Sequence, residues 1–323
     1  MHFAFTDDQL AFRDAVRDLL AKECPPTAVR EAWDSEDARG TAWAALGEMG
    51  VLSALVPESR GGLGLGMVDL VLLLEETGYA ALPEPVVEHA AVVAPLLDEP
   101  GGALDGSETI TAPFHHDTVM PYSDRADRFA LFDDGTIQLA GRDDVTLEAC
   151  TSVDHARRLA RVTPRAGVDL PTLATGNAVA AAFERGACGT AAQLVGLARR
   201  MLDMTVEYAR ERRQFGVPIG SFQAVKHHLA DARIAIEFAR PLVYRAAWSL
   251  TTGDPEAPLH VSMAKALASD AATLTGRQAL QCHGAVGYSF EHDLHLFLKR
   301  AWVLAAAWGD ADWHRARVGR AIL

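Results

Sequence analysis

The sequence is short of cysteine, of positive charge and of long apolar runs, and each shortage narrows what it does. Four cysteines in 323 residues (Cys24, Cys150, Cys188, Cys282) are scattered, with no Cys-x-x-Cys pair. That excludes a disulfide framework and a cysteine-rich zinc site, and reads as reduced thiols of a cytoplasmic protein. Lysine plus arginine number 30 against 43 aspartate plus glutamate, a formal charge of −13. Such a balance disfavours nucleic acid or an anionic membrane as the main partner, although a local basic patch still suits a phosphorylated small molecule. No stretch approaches the ~20 apolar residues that cross a bilayer. Ala301 to Trp308 and Met67 to Leu74 are short, and Asp69 interrupts the second. The start, Met1-His2-Phe3, lacks the basic-then-apolar pattern of a leader.

Common chemical motifs are missing as well. The loop Gly61-Gly62-Leu63-Gly64-Leu65-Gly66 has Met67 where G-x-G-x-x-G needs glycine, and no Gly-Lys-Ser/Thr follows. It reads as a tight turn between helices. His292 and His295 stand beside Glu291 and Asp293 without a helical His-Glu-x-x-His, and read as an acidic surface turn rather than a metal site. The pairs His115-His116 and His227-His228 are no more specific, and no Gly-x-Ser-x-Gly elbow offers a nucleophile.

What is present is helix-forming material, with 49% apolar residues and a length suited to two or three domains. Residues 1–108 read as helical. Thr6 and Gln9 make a capping box, Phe12, Val16, Leu19 and Leu20 share one stripe, and Pro25-Pro26 stops that helix. Further helices fit Trp43 to Gly50 and Val68 to Gly78. Residues 109–172 change period: Phe129 and Leu131 alternate, Asp134-Gly135 signals a hairpin, and Ile137 and Leu139 alternate after it. Residues 173–323 return to long helices, with stripes Leu197-Met201-Met204-Tyr208 and Val225-Leu229-Ala232-Ile236, and another helix from Leu259 to Cys282. The Ala-rich composition suits a four-helix bundle.

Two segments carry more specific chemistry. Arg212-Arg213-Gln214-Phe215-Gly216-Val217-Pro218 with Phe222-Gln223 sets a guanidinium, amides and aromatic rings around a turn between long helices. Gln281-Cys282-His283-Gly284-Ala285-Val286-Gly287-Tyr288 ends a helix with glycines that permit close backbone approach. Together they suit a diphosphate and an adenine.

At these segments the sequence resembles the acyl-CoA dehydrogenase family. Leu46-Gly47-Glu48-Met49-Gly50-Val51 and Val56-Pro57-Glu58-Ser59-Arg60-Gly61-Gly62-Leu63-Gly64 are similar to the family's front end, so the resemblance covers nearly the whole chain. It implies a mainly α fold: an N-terminal helical domain, a reduced middle β-barrel and a C-terminal four-helix domain. It implies FAD as cofactor, an acyl-CoA thioester as substrate and an electron-transfer acceptor, with a glutamate taking the α-proton and the flavin taking hydride. In family dimers one subunit holds the flavin ring while its neighbour reaches the ADP half. Arg212, Gln214, Phe215, Gln223, Gln281 and Gly284 match that reaching set, with Ala285 replacing a second glycine.

The other half departs from the family. Where members carry the base in a Glu-Gly-Thr turn, this chain has Ala307-Trp308-Gly309-Asp310, and the bulk of Trp308 intrudes on the acyl cavity. Other members place the glutamate about ten residues before the glycine matched by Gly196. Glu184 lies twelve before it, rotated roughly 200° around a helix and expected as a solvated residue near the helix start. Asp310 is a second, shorter candidate. Loops that cover the flavin ring have no match, and Thr111-Ala112-Pro113-Phe114-His115-His116 stands in place of the first. The chain resembles the shortened subunit of actinobacterial α2β2 acyl-CoA dehydrogenases, several of which act on steroid side-chain thioesters. The resemblance thus implies a non-catalytic partner subunit. A self-sufficient homo-oligomer using Glu184 and a flavin-free scaffold remain the alternatives.

Overall fold

The computed structural model describes residues 4–35, 40–113, 118–133 and 135–323. The first helices are α1 (Asp7–Glu23), α2 (Pro26–Asp34), α3 (Ala42–Glu48) and α4 (Met67–Tyr79). Thr6 and Gln9 form the expected capping box, and proline at the first position of α2 starts a new helix where the old one stops. The glycine loop joins α3 to α4 as a packed turn. A Cβ on Gly62 would lie 2.2 Å from the Val56 carbonyl oxygen, so only glycine fits. A π-helical turn, Val87–Val93, leads out of this region.

Seven short strands follow: β1 (Ile110–Thr111), β2 (Val119–Met120), β3 (Arg128–Asp133), β4 (Thr136–Gly141), β5 (Val145–Ala149), β6 (Ala160–Pro164) and β7 (Thr172–Thr175). They form two small sheets, ordered β1-β3-β4-β7 and β2-β6-β5. Asp133 pairs with Thr136, so the β3–β4 turn falls where expected, although Asp134 itself lies outside the described residues. Phe114, His115, His116 and Met1 to Phe3 lie outside them too. The alternation in β3 and β4 is not apolar-in, polar-out. Phe129, Leu131 and Ala140 point into a small core shared by both sheets, with Met120, Val145 and Val162. Ala130, Phe132, Ile137 and Leu139 point the other way, into the helical core. This sheet is covered on both faces, which explains why polar residues are few along it.

Three long helices make the rest: α5 (Asn177–Glu211), α6 (Gln223–Thr252) and α7 (Ala257–His283), followed by α8 (Leu294–Ala306) and α9 (Ala311–Ile322). A two-strand ribbon, β8 (Arg213–Gln214) and β9 (Val217–Pro218), joins α5 to α6. Both predicted stripes face inward: Leu197, Met201, Ala232 and Ile236 are buried. Helix α8 packs on α5 and α7, and α9 packs on α7. No described helix is long and apolar enough to cross a membrane.

Candidate functional site

Helix α6 runs back along α5, and α7 returns along α6, so α5 and α7 end at the same face of the bundle. The ring of Tyr208, one turn before the end of α5, stacks on His283 at the end of α7 with centroids 4.3 Å apart. His292 lies edge-on to His283 at 4.8 Å. His283 donates through Nδ1 to the Ala279 carbonyl at 2.8 Å, and burial pushes its pKa below the ordinary histidine value. These stacked and edge-on rings clamp the two segments singled out from sequence against each other.

The first segment folds into a ribbon closed by a bond from Ile219 N to the Arg212 carbonyl, 2.8 Å. Phe215 and Gly216 both take left-handed backbone, φ 53° and 85°. Glycine adopts this freely, whereas Phe215 is held there by the turn and left 93% exposed. In the second segment Gly284 has φ 65° and ψ −146°, a region open to glycine alone. A Cβ added there would meet no atom within 4 Å, so the space over this backbone is open. Arg212, Gln214, Phe215, Gln223, Gln281 and Gly284 are all exposed at this one face, with Ala285 beside them. Arg212, Gln223 and Gln281 make no side-chain hydrogen bond or ion pair among the described residues. Exposed arginines, free amides and an uncovered glycine turn fit a diphosphate with an attached purine.

The region around position 308 is built quite differently. Trp308 is fully buried between the sheet and α5, its ring 6.1 Å from that of Phe132 and 5.9 Å from that of Phe183. A Cβ on Gly186 would sit 2.7 Å from the indole. Glycine in the middle of a long helix is costly, and here it is required by the ring lying across it. Gly186 is ten residues before Gly196, which is the alternative base position implied by the resemblance. The two positions at which the resemblance places a base therefore face each other, and here hold tryptophan and glycine. The spacing to Gly196 carries this signal in the sequence, whereas Glu184 lies two residues away from that position.

Glu184 is not the solvated residue expected. It is 5% exposed and ion-paired with Arg317 of α9, because α9 folds back over the start of α5. Burial raises its pKa and the Arg317 guanidinium opposes that rise. We expect Glu184→Gln to leave dehydrogenation by an active preparation within a few-fold of wild type, measured with an artificial electron acceptor. A loss of several orders of magnitude would identify Glu184 as the base. Asp310 is exposed and accepts from Trp313 N at 2.8 Å, so it serves as the N-cap of α9. His295 also departs from the expected surface turn: it is 2% exposed, edge-on to Trp33 at 5.1 Å.

Comparison with known proteins gives the family of the fold. The profile described as "Acyl-CoA dehydrogenase, N-terminal domain" matches residues 6–102, and "Acyl-CoA dehydrogenase, C-terminal domain" matches residues 176–323. Acyl-CoA dehydrogenase IpdE2 of Mycolicibacterium smegmatis is 34% identical over 303 residues, which is 92% of this chain and 93% of the relative. The ChsE4–ChsE5 complex from Mycobacterium tuberculosis has a chain that superposes with a TM-score of 0.88 at 24% identity, covering 99% of this chain and 98% of that one. The Tcur3481–Tcur3483 steroid ACAD gives a TM-score of 0.86 at 24% identity, covering 98% of each chain. The chain belongs to the acyl-CoA dehydrogenase family.

Proposed function

We propose that the chain is a subunit of an FAD-dependent acyl-CoA dehydrogenase and supplies ADP-half contacts to a flavin whose ring and substrate are held by a second, complete subunit. The reading rests on one asymmetry. The residues that suit a nucleotide diphosphate are gathered and exposed, while both base positions are occupied by a buried indole and the glycine beneath it. When bound, the flavin supplies hydride acceptance from the acyl chain. Arg212 holds negative charge, Gln223 and Gln281 offer amides to polar edges, and Gly284 admits the phosphates to its backbone.

A neighbouring apolar surface supports a protein partner. Ile234 and Phe238 lie one turn apart on α6, with Ala230 one turn before them. Ile234 is 53% and Phe238 69% exposed, and Phe215 and Phe222 are exposed at the turn that leads into α6. Aromatic and branched side chains left in water at this density mark an interface. Two of the similar solved structures are complexes of two different chains, and one is described as a steroid enzyme. A steroid or other bulky acyl-CoA thioester is accordingly the substrate class we favour.

Arg212→Ala is expected to weaken flavin binding to the assembled complex by roughly 10- to 150-fold, since a charge-assisted phosphate contact contributes about 1.5–3 kcal/mol. Flavin content and titration calorimetry measure this directly. Unchanged affinity would remove Arg212 from the site.

A further inference from the structure

Between α8 and α9 the chain turns through two successive left-handed residues, Trp308 with φ 56° and Gly309 with φ 89°. The conformation suits glycine and strains a tryptophan, so something outside the turn must hold it. Lys265, in the middle of α7, is fully buried. Its Nζ donates to the Ala305 carbonyl at 3.0 Å, the Gly309 carbonyl at 2.9 Å and Ser269 Oγ at 3.1 Å. The two carbonyls bracket Trp308, and the three bonds use every donor of an ammonium group. From the other side His314, also fully buried, makes a 2.9 Å bond from Nε2 to the Trp308 carbonyl. A lysine without exposure and without a carboxylate bond has no surface role to explain it, because burying a cation is costly unless its donors are all satisfied.

We propose that Lys265 is a latch: its ammonium holds the 305–309 turn in its left-handed form and thereby keeps the Trp308 indole wedged over Gly186, shutting this chain's own apolar cavity. What is shut out, an acyl chain, rests on the function proposed above; the latch rests on the geometry alone. Without it the turn relaxes and the ring leaves the face of α5, opening a dry space lined by Phe132, Phe183 and Gly186. The charged and titratable groups near the latch are Asp310 on the same turn, and His314 and Arg317 on α9. Burial pushes Lys265 down to about 7 and His314 down to about 4. Raising the pH past neutrality therefore takes a proton from Lys265 and leaves two donors for three acceptors.

The test uses full-length protein labelled with 5-fluorotryptophan, in which the Trp308 fluorine line is assigned from Trp308→Phe. In Lys265→Met the Trp308 line should shift and broaden, while those of Trp33, Trp43, Trp248 and Trp302 keep their positions. Benzene, the probe, should then bind saturably to the variant and not to wild type, as it does in engineered apolar cavities. A folded variant with an unmoved Trp308 line and no benzene binding overturns the latch. Should Lys265→Met fail to fold, the wild-type line decides. It should titrate with a midpoint near the Lys265 value between about pH 6 and pH 9, and a flat line overturns the proposal. Neither readout involves flavin or a second subunit, so failure of the latch and failure of the nucleotide assignment are separate results.

Discussion

Produced by itself, the protein is expected to be colourless and inactive toward acyl-CoA; produced with a complete family member, it should copurify as a yellow complex. The expectation follows from which half of the site survives. A pair of identical chains would present two copies of Arg212, Gln223 and Gln281 and no carboxylate at either base position. A pair with a complete subunit has one whole site, so flavin should appear at about one per pair of chains, bound only when both are present. Visible absorbance of the separate and coexpressed proteins, with size determination by light scattering, measures this. Stoichiometric flavin and turnover by the single chain would refute the partner reading and return attention to Glu184.

The second large effect is on stability. Trp308→Ala should cost about 3–5 kcal/mol, in the range for truncating a fully buried aromatic. The indole meets Phe132 from the sheet and Phe183 from α5, and Gly186 offers no side chain to refill the space. Alanine is also strained at a positive φ, so the variant gains nothing from the backbone. Urea unfolding of the single chain gives the value, and a loss below about 1 kcal/mol would mean the ring is not a packing element. Activity should not appear in the variant, because opening space at 308 creates no base.

Much of this was legible in the residues. The capping box, the Pro25-Pro26 break, the inward stripes of α5 and α6 and the strand turn at 134–135 are local signals, and local geometry decided them. The gathering of Arg212, Gln223, Gln281 and Gly284 at one face was legible too, because these residues sit in two short runs and helix length alone brings the runs to one end. What was not legible depends on residues far apart in sequence. Gly186 and Trp308 are complementary only once α9's approach turn is laid across α5. Glu184 looked solvated because its partner, Arg317, lies near the other end of the chain. His295 looked like part of a surface turn, and only packing against Trp33 and Phe290 reveals it as buried.

The two small sheets are held in place by contacts that lie outside them. Their shared core has few members, too few to stand without help. Buried ion pairs tie them to the helical body, among them Arg125 with Glu84 at 2.9 Å, Arg157 with Glu88 at 3.5 Å, and Arg300 of α8 with Asp154. Arg300 also donates to the Leu82 carbonyl at 2.8 Å. Removing one partner of such a pair strands the other in low dielectric, at about 3–5 kcal/mol each. The helical body therefore cannot release the sheets without exposing or orphaning its own carboxylates at 84 and 88. An insertion or deletion that moves Arg125, Asp154 or Arg157 should unseat the entire molecule. The middle of this protein is not free to drift.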